Sequence, residues 1–338
     1  MSRKQAIKSK RPVDMKIGIA LIGYGNVGRA LHSQIQGLNA YQLHGIAVKN
    51  AGKHPELKDK GLLAKSALQV IEQPEVQVVL EAINEAEASF TFAERSLQMG
   101  KVYISASKKM LATKLPYLHL LEAKHGGKLF YEASVAAAIP VLRTLREHLR
   151  GESIDRVRGI LNGTCNYILS RMHQDQLDFD AALEEAQRMG FAESDPSSDI
   201  DAEDAYCKSL ILAYTLEGGR FEVSRAICEG IRSVSAEQVR QAKRAGEKIK
   251  LIADIERKAG KFRIDIRPQR IGPDDVLYHV ERESNAVCIR GSACGELLLQ
   301  GPGAGGAATA SAMRADLLNL PPESIRNLRR ILHAVGVH

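Results

Sequence analysis

Tryptophan is absent from the 338 residues, and aromatic side chains make up only 5%. Cysteine is scarce too. Cys165, Cys207, Cys228, Cys288 and Cys294 form no CxxC pair and no Cys/His ligand spacing, which excludes a zinc-finger or zinc-ribbon site. Scattered thiols of this kind fit a reducing, cytoplasmic setting. No apolar run is long enough to span a bilayer, and the basic N-terminus MSRKQAIKSKRPVDMK lacks the apolar core of a secretory signal. The net charge of +7 is also less than it looks. Six Lys/Arg against one Asp in the first 16 residues supply five of those charges. A basic tail is a poor argument for a folded nucleic-acid or membrane surface, so neither partner is expected. No internal repeat or low-complexity segment is present.

What is present is ordinary globular composition, 44% hydrophobic and 26% charged, in a chain long enough for two domains. The apolar run Ile17–Ile22 reads as a buried parallel strand. It is followed by Gly23, Gly25 and Gly28 in GxGxxG spacing and by a helical pattern of Val27, Leu31 and Ile35. In that context the first glycine makes the tight turn, the second admits a pyrophosphate, and the third packs helix on strand. The free N–H groups at the helix start, from Asn26 and Val27 onward, then face the phosphates. A dinucleotide cofactor is therefore expected. The next strand, from Tyr41 to about Asn50, ends in Lys49 where a ribose-binding acid often stands, with Lys53 and His54 close behind. A cation there suits a 2′-phosphate, so the reading favours NADP and leaves NAD open.

Strands over 76–83 and 101–105, separated by a helix that closes at Gly100, extend the pattern to a doubly wound parallel sheet. An α/β (α+β) second domain would be joined to this Rossmann-type sheet. The expected boundaries are a basic tail at 1–14, a nucleotide-binding domain at 15–135 with 302–338, and the second domain at 136–301. Ligands of such sheets bind beyond the carboxyl ends of the strands, which places Lys108 or Lys109 at the site.

In the second half, 139–151 reads as a helix and 155–163 as a strand ending at Asn162-Gly163. The next helix has Thr164 as N-cap, and a further helix ends at Gly190. The stretch ESDPSSDIDAEDAYCK (193–208) crowds six acids before one lysine. A turn over 194–198 and a helix from Asp199 or Ile200 explain several of them, because acids suit a helix N-terminus. A calcium loop does not fit, since the sixth-position glycine and twelfth-position Glu are missing. Asp204 and Lys208 stand at i and i+4 on one face, beside the apolar run SLILAYTL. A lysine there needs a partner, and a held lysine can trade a proton. Residues 235–258 read as a long helix, KFRIDIRPQRI, LYHVERESNAVCIRG and GELLLQ as strands, and ATASAMRADLLNL as a last helix. Glycine crowding at 301–306 suggests a close backbone approach.

The segments GYGNVGRAL, YEASV…IP, LNGTCNYIL, ESDPSSDIDAEDAYCK and GPGAGG…TASAMRADL, in this order, resemble the homoserine dehydrogenase family from about residue 15 to 320. The resemblance implies interconversion of L-homoserine and L-aspartate 4-semialdehyde with a nicotinamide cofactor, on the route to threonine and methionine. It also implies a homodimer built through the second domain, in a short form without aspartate kinase or ACT domains. Carried over residue by residue, it makes Lys208 the acid/base, held by Asp204. Glu193 and Asp199 would serve the substrate ammonium, and Lys108 would bind substrate or pass a proton. Gly303 would lie near the cofactor. Glu132, Val135, Ala137 and Ile139 would form a monovalent-cation loop for an ion such as Na+. Two departures stand out. Ser107 replaces the family's Asn, and Ala136-Ala137-Ala138 replaces a glycine-rich run, where any positive φ would strain alanine. The alternatives are a related Rossmann dehydrogenase on another small aldehyde or amino acid, or a non-catalytic NADP-binding sensor.

Overall fold

Every residue of IGIALI is buried, the signature of a strand covered on both faces, and this run forms β1 (Ile17–Ile22). The computed structural model describes residues 16–217, 222–258 and 260–321; the tail at 1–14 and the stretch 322–338 lie outside them. After β1 come α1 (Asn26–Ile35), β2 (Tyr41–Ala47), the short α2 (Pro55–Asp59) and α3 (Ala67–Glu72), β3 (Val78–Glu81), α4 (Ala86–Gln98), β4 (Val102–Ser105), α5 (Lys108–His125) and β5 (Lys128–Phe130). The strands pair in parallel in the order β2-β1-β3-β4-β5. The order reverses at β1, so a crevice opens between the carboxyl ends of β1 and β3. This is the expected doubly wound sheet. β2 stops at Ala47, short of Asn50, and β5 is a three-residue strand that went unread because it is too brief to show a period.

Period-two alternation divides the core. Ile19, Leu21, Val78, Leu80 and Ile104 face α1 and the last helix, α12 (Gly306–Leu318), while Ala20, Ile22, Val79 and Tyr103 face the opposite side with Ala93 and Leu97 of α4. Each fully buried aliphatic side chain contributes about 1.5–3 kcal/mol relative to exposure.

The second half contains α6 (Val141–Arg143) with a π-helical segment Thr144–His148, β6 (Ile154–Ile160), α7 (Gly163–Asp175), α8 (Phe179–Arg188), α9 (Ser197–Ile200), α10 (Glu203–Glu217), β7 (Val223–Cys228), α11 (Ala236–Arg244), β8 (Lys248–Lys258), β9 (Lys261–Ile271), β10 (Ser284–Gly291), β11 (Gly295–Pro302) and α12 (Gly306–Leu318). Its sheet runs β11-β10-β6-β8-β9-β7, antiparallel except for the β7–β9 pair. Val157, Leu251, Ile255, Ile264, Ile266 and Val287 pack with the helices. α12 returns to the first sheet. Gln34 donates to the carbonyl of Ala307 at 3.1 Å, and the Tyr41 hydroxyl donates to that of Leu317 at 2.9 Å.

Several elements differ from expectation. The long helix over 235–258 is α11 plus β8. Ser235 and Gln238 form a capping box, but Gly246 turns the chain at φ 73°, and KIKLIADIERK then pairs along its whole length with β9. Three isoleucines in that run favour a strand. The helix expected from Asp199 is split, because Ala202 stands at φ 66° between α9 and α10. The 139–151 helix is only α6 and its π segment. β10 begins at Ser284, later than expected. The N-cap of α7 is Asn162, whose side chain accepts from Cys165 N at 2.8 Å. Thr164 lies one residue inside the helix and donates its hydroxyl proton to Phe191 O at 2.7 Å.

Candidate active site

The crevice at the carboxyl ends of β1 and β3 is lined by the glycine turn. Gly23 stands at φ 96°, and a Cβ there would lie 2.4 Å from the carbonyl of Ala82. Gly25 faces open space, so its backbone is approachable, and Asn26 and Val27 open α1 behind it. Gly28 is buried within the helix. Lys49 lies just past β2, largely exposed, and pairs with Glu85. Two basic side chains, Arg29 and His54, flank the glycine turn through Tyr24. The Arg29 guanidinium sits 5.6 Å from its ring centroid, and the His54 ring 5.5 Å. Arg29 projects from the helix that follows the turn, which was the available signal. The chain at Gly303 packs tightly against Asn285. A Cβ there would come 2.1 Å from Cγ of buried Asn285.

Across the crevice, the acids of 193–208 separate into distinct jobs. Asp195 accepts from Ser197 N at 3.1 Å, Asp201 pairs with Arg232 at 2.5 Å, and Glu203 pairs with Lys109 at 2.9 Å. Glu193 is exposed, with its carbonyl taken by Gln187 at 3.1 Å. The remaining two turn inward. Lys208 is buried in α10, its Nζ 2.7 Å from Asp204 Oδ2 and donating at 2.7 Å to Leu161 O. Two of its three N–H groups are thus committed and one is left. The other oxygen of Asp204, Oδ1, pairs with Lys108 at the start of α5. The Asn162 amide donates to both carboxylates, at 2.7 Å to Asp199 and 2.9 Å to Asp204. Asn162 was read only as a strand end; its place one residue before a helix was its sole mark.

The electrostatics follow. Burial pushes the Asp204 carboxyl up, but the ammoniums of Lys208 and Lys108 outweigh it and hold the group well below the usual carboxylate range. Burial pushes Lys108 down, and the Asp204 carboxylate more than reverses that. Asp199 is raised, first by burial and then by the charge of Asp204. Two carboxylates and two ammoniums thus balance around a small polar site that the two halves of the chain build together.

Ser107 is buried as the N-cap of α5, and its side chain makes no capping bond. Glu132 is buried as well. Its Oε1 accepts from Leu142 N at 2.9 Å, and its Oε2 lies 3.4 Å from Arg146. Burial and the Asp316 charge push the Glu132 carboxyl up to about 7. In the loop that follows, Ala136 and Ala137 do take positive φ, 55° and 44°. That left-handed region costs a non-glycine residue about 1–2 kcal/mol, so the alanine run is strained as anticipated.

Two family models match the chain. The homoserine dehydrogenase NAD-binding domain covers residues 23–132, and the homoserine dehydrogenase domain covers 140–318. The chain belongs to the homoserine dehydrogenase family. It is therefore a nicotinamide-dependent oxidoreductase with a small-molecule substrate, and the sequence reading holds for fold, family and activity. The homoserine dehydrogenase of Corynebacterium glutamicum is 36% identical over 318 residues, spanning 89% of this chain and 71% of that protein. That of Synechocystis sp. is 33% identical, over 90% and 73%. The crystal structure of a homoserine dehydrogenase from Thiobacillus denitrificans superposes with a TM-score of 0.85 at 32% identity, over 96% of this chain and 75% of that one. A hyperthermophilic archaeal homoserine dehydrogenase in complex with NADPH gives 0.77 at 28%, over 91% and 99%. Among the described residues no helix is long and apolar enough to cross a membrane.

Proposed function

We propose that the Lys208–Asp204–Lys108 cluster is the reacting centre of an NADP-dependent homoserine dehydrogenase, with Lys208 as acid/base at the C4 oxygen. The observation that carries this is Asp204, a buried carboxylate holding one lysine from each half of the molecule. The crevice fits a dinucleotide, because Gly25 leaves its backbone open where a side chain would block it. When bound, the nicotinamide supplies the hydride acceptor or donor. Neutral Lys208 takes the hydroxyl proton in the oxidative direction, protonated Lys208 donates it to the forming alkoxide in the reductive one, and a group of this kind contributes about 10²–10⁴-fold. Lys108 faces the substrate carboxylate or relays the proton, while Asp199 and Glu193 serve the ammonium. The oxidation releases a proton, so alkaline pH favours it. NADP is preferred because Lys49 and Arg29 supply cations near the glycine turn, with the His54 ring beside them as a hydrogen-bonding group. Gly303 and Ser107 line the nicotinamide end.

The test is reduced-nicotinamide formation from L-homoserine at alkaline pH, with NADP and NAD in parallel. Turnover with NADP above NAD is expected. Folded protein with no turnover on either cofactor would return the weight to another aldehyde or to a sensor.

Glu132 with the carbonyls of Val135, Ala137 and Ile139 offers only hard oxygen donors, a set suited to Na+. A rise in Tm with Na+ that Glu132→Gln abolishes is the check. The sheet face turned away from the helices carries Arg156, Asp254, Glu256, Arg263 and Asp265 around a recess of about 560 Å³, a surface through which a homodimer would form; light scattering decides it. The boundaries at 135/136 and 301/302 and a cytoplasmic location complete the proposal. Limited proteolysis and fractionation, respectively, test them.

A further inference from the structure

Glu81 ends β3 at 0% exposure, and among the described residues it has no ion-pair partner. Burying a carboxylate without a countercharge costs several kcal/mol, and burial indeed pushes this carboxyl up. A fold seeking only stability gains nothing from an acid here. Its bonds show what it holds. Oε1 accepts from Ile83 N at 2.7 Å. Oε2 accepts from the hydroxyls of Ser89 at 2.7 Å and Ser105 at 2.6 Å. The Ser105 oxygen in turn accepts from Ser107 N at 3.0 Å, and Ser107 caps the helix whose first residue is Lys108. On the other side, Ala82 and Ile83 lie directly under the dinucleotide turn. A Cβ on Gly23 would meet Ala82 O at 2.4 Å and Ile83 Cγ2 at 2.8 Å.

We infer that Glu81 is a positioning residue that fixes the glycine turn of the cofactor crevice and the Ser107–Lys108 turn at one spacing. It thereby sets the approach of hydride donor to acceptor. The inference rests on the function proposed above. Ile83 N–H and the Ser89 and Ser105 hydroxyls all donate to Glu81, so both of its oxygens act as acceptors. Glutamine turns one of those acceptors into a donor. Its amide N–H either opposes that of Ile83 or requires the Ser89 and Ser105 hydroxyls to give up these bonds and turn.

The test is a set of variants, Glu81→Gln, Ser105→Ala and Ser105→Thr, read in two ways. In the homoserine assay, Glu81→Gln and Ser105→Ala should lower kcat about 10–100-fold, the scale of a sub-ångström to 1 Å misplacement. KM for homoserine and the NADPH Kd from fluorescence titration should stay within about twofold. Ser105→Thr, which keeps the hydroxyl, should retain activity, and the Glu81→Gln/Ser105→Ala double variant should be no worse than Glu81→Gln. The second readout needs no turnover. Acylation of lysines, resolved by peptide mass spectrometry, should run several-fold faster at Lys108 in both damaging variants, with Lys124 unchanged and buried Lys250 still protected. Equal kcat, or equal labelling of Lys108 in folded variants, overturns the inference. If the native chain fails to turn over homoserine, the functional reading falls, and the labelling alone decides whether Glu81 positions Lys108.

Discussion

Lys208 Nζ and Asp204 Oδ2 lie 2.7 Å apart across one turn of α10, both buried, and Leu161 O takes a second proton of the same ammonium. The lysine is thus oriented rather than merely neutralised. An oriented amine with one N–H left can act on a substrate oxygen without a costly rearrangement.

Lys208→Ala should lower kcat by about 10²–10⁴. Lys208→Arg is the sharper test. A guanidinium keeps the charge beside Asp204 but does not give up its proton, so turnover should stay low although the fold is retained. Steady-state kinetics beside a circular-dichroism melt would decide it, and an active arginine variant would remove Lys208 from its role.

Asp204 bears on stability as well. Asp204→Asn leaves two ammoniums without their shared carboxylate and should cost about 3–5 kcal/mol. Because the folded carboxyl is held below its unfolded value, its contribution is present above the usual carboxylate range and lost as pH falls through the folded value. Urea midpoints measured from pH 6 downward should therefore decline more steeply in the native chain than in the variant. Parallel acid limbs would contradict the assignment.

Lys49 presently pairs with Glu85, and both are well exposed. Glu85→Gln should free the lysine for a 2′-phosphate and improve KM for NADP several-fold, with little change for NAD. Lys49→Ala should shift the ratio the other way by about fivefold, or 1 kcal/mol. Cofactor titrations at two salt concentrations would check this, since an exposed contact weakens with salt. A ratio indifferent to both changes would point to Arg29 and His54 instead.

Ala137, at φ 44°, is buried yet sits where glycine is at ease. Replacing a buried alanine by glycine normally destabilises. Here, relief of about 1–2 kcal/mol of left-handed strain opposes the loss, so Ala137→Gly should hold or raise Tm. A fall of several degrees would mean the loop tolerates its φ without strain.

Much of this was legible in the chain. The glycine spacing after IGIALI announced the crevice, and the i, i+4 spacing of Asp204 and Lys208 announced their pair, because both depend on local geometry. The third partner, Lys108, lies nearly a hundred residues away, and only the fold shows that it meets the same carboxylate. Asn162 was invisible for a related reason. A capping amide that also bridges two acids looks in sequence like any residue before a helix. The error at 248–258 was one of period. Its strand is buried at nearly every position in its first half, so alternation was masked. The fate of each acid in 193–208 depended on which cation arrived opposite, something composition cannot rank.

The carboxylate of Asp204 has a consequence for anyone who would exchange modules between relatives. One of its lysines opens α5 in the half that carries the parallel sheet, and the other belongs to its own helix. A cofactor-binding half transplanted from another dehydrogenase would bring its own residue to the position of Lys108. Unless that residue is a cation reaching equally far, the graft would strand a buried charge at the seam. Modular as the fold looks, the two halves are a matched set, and a chimera would have to inherit Lys108 together with Asp204.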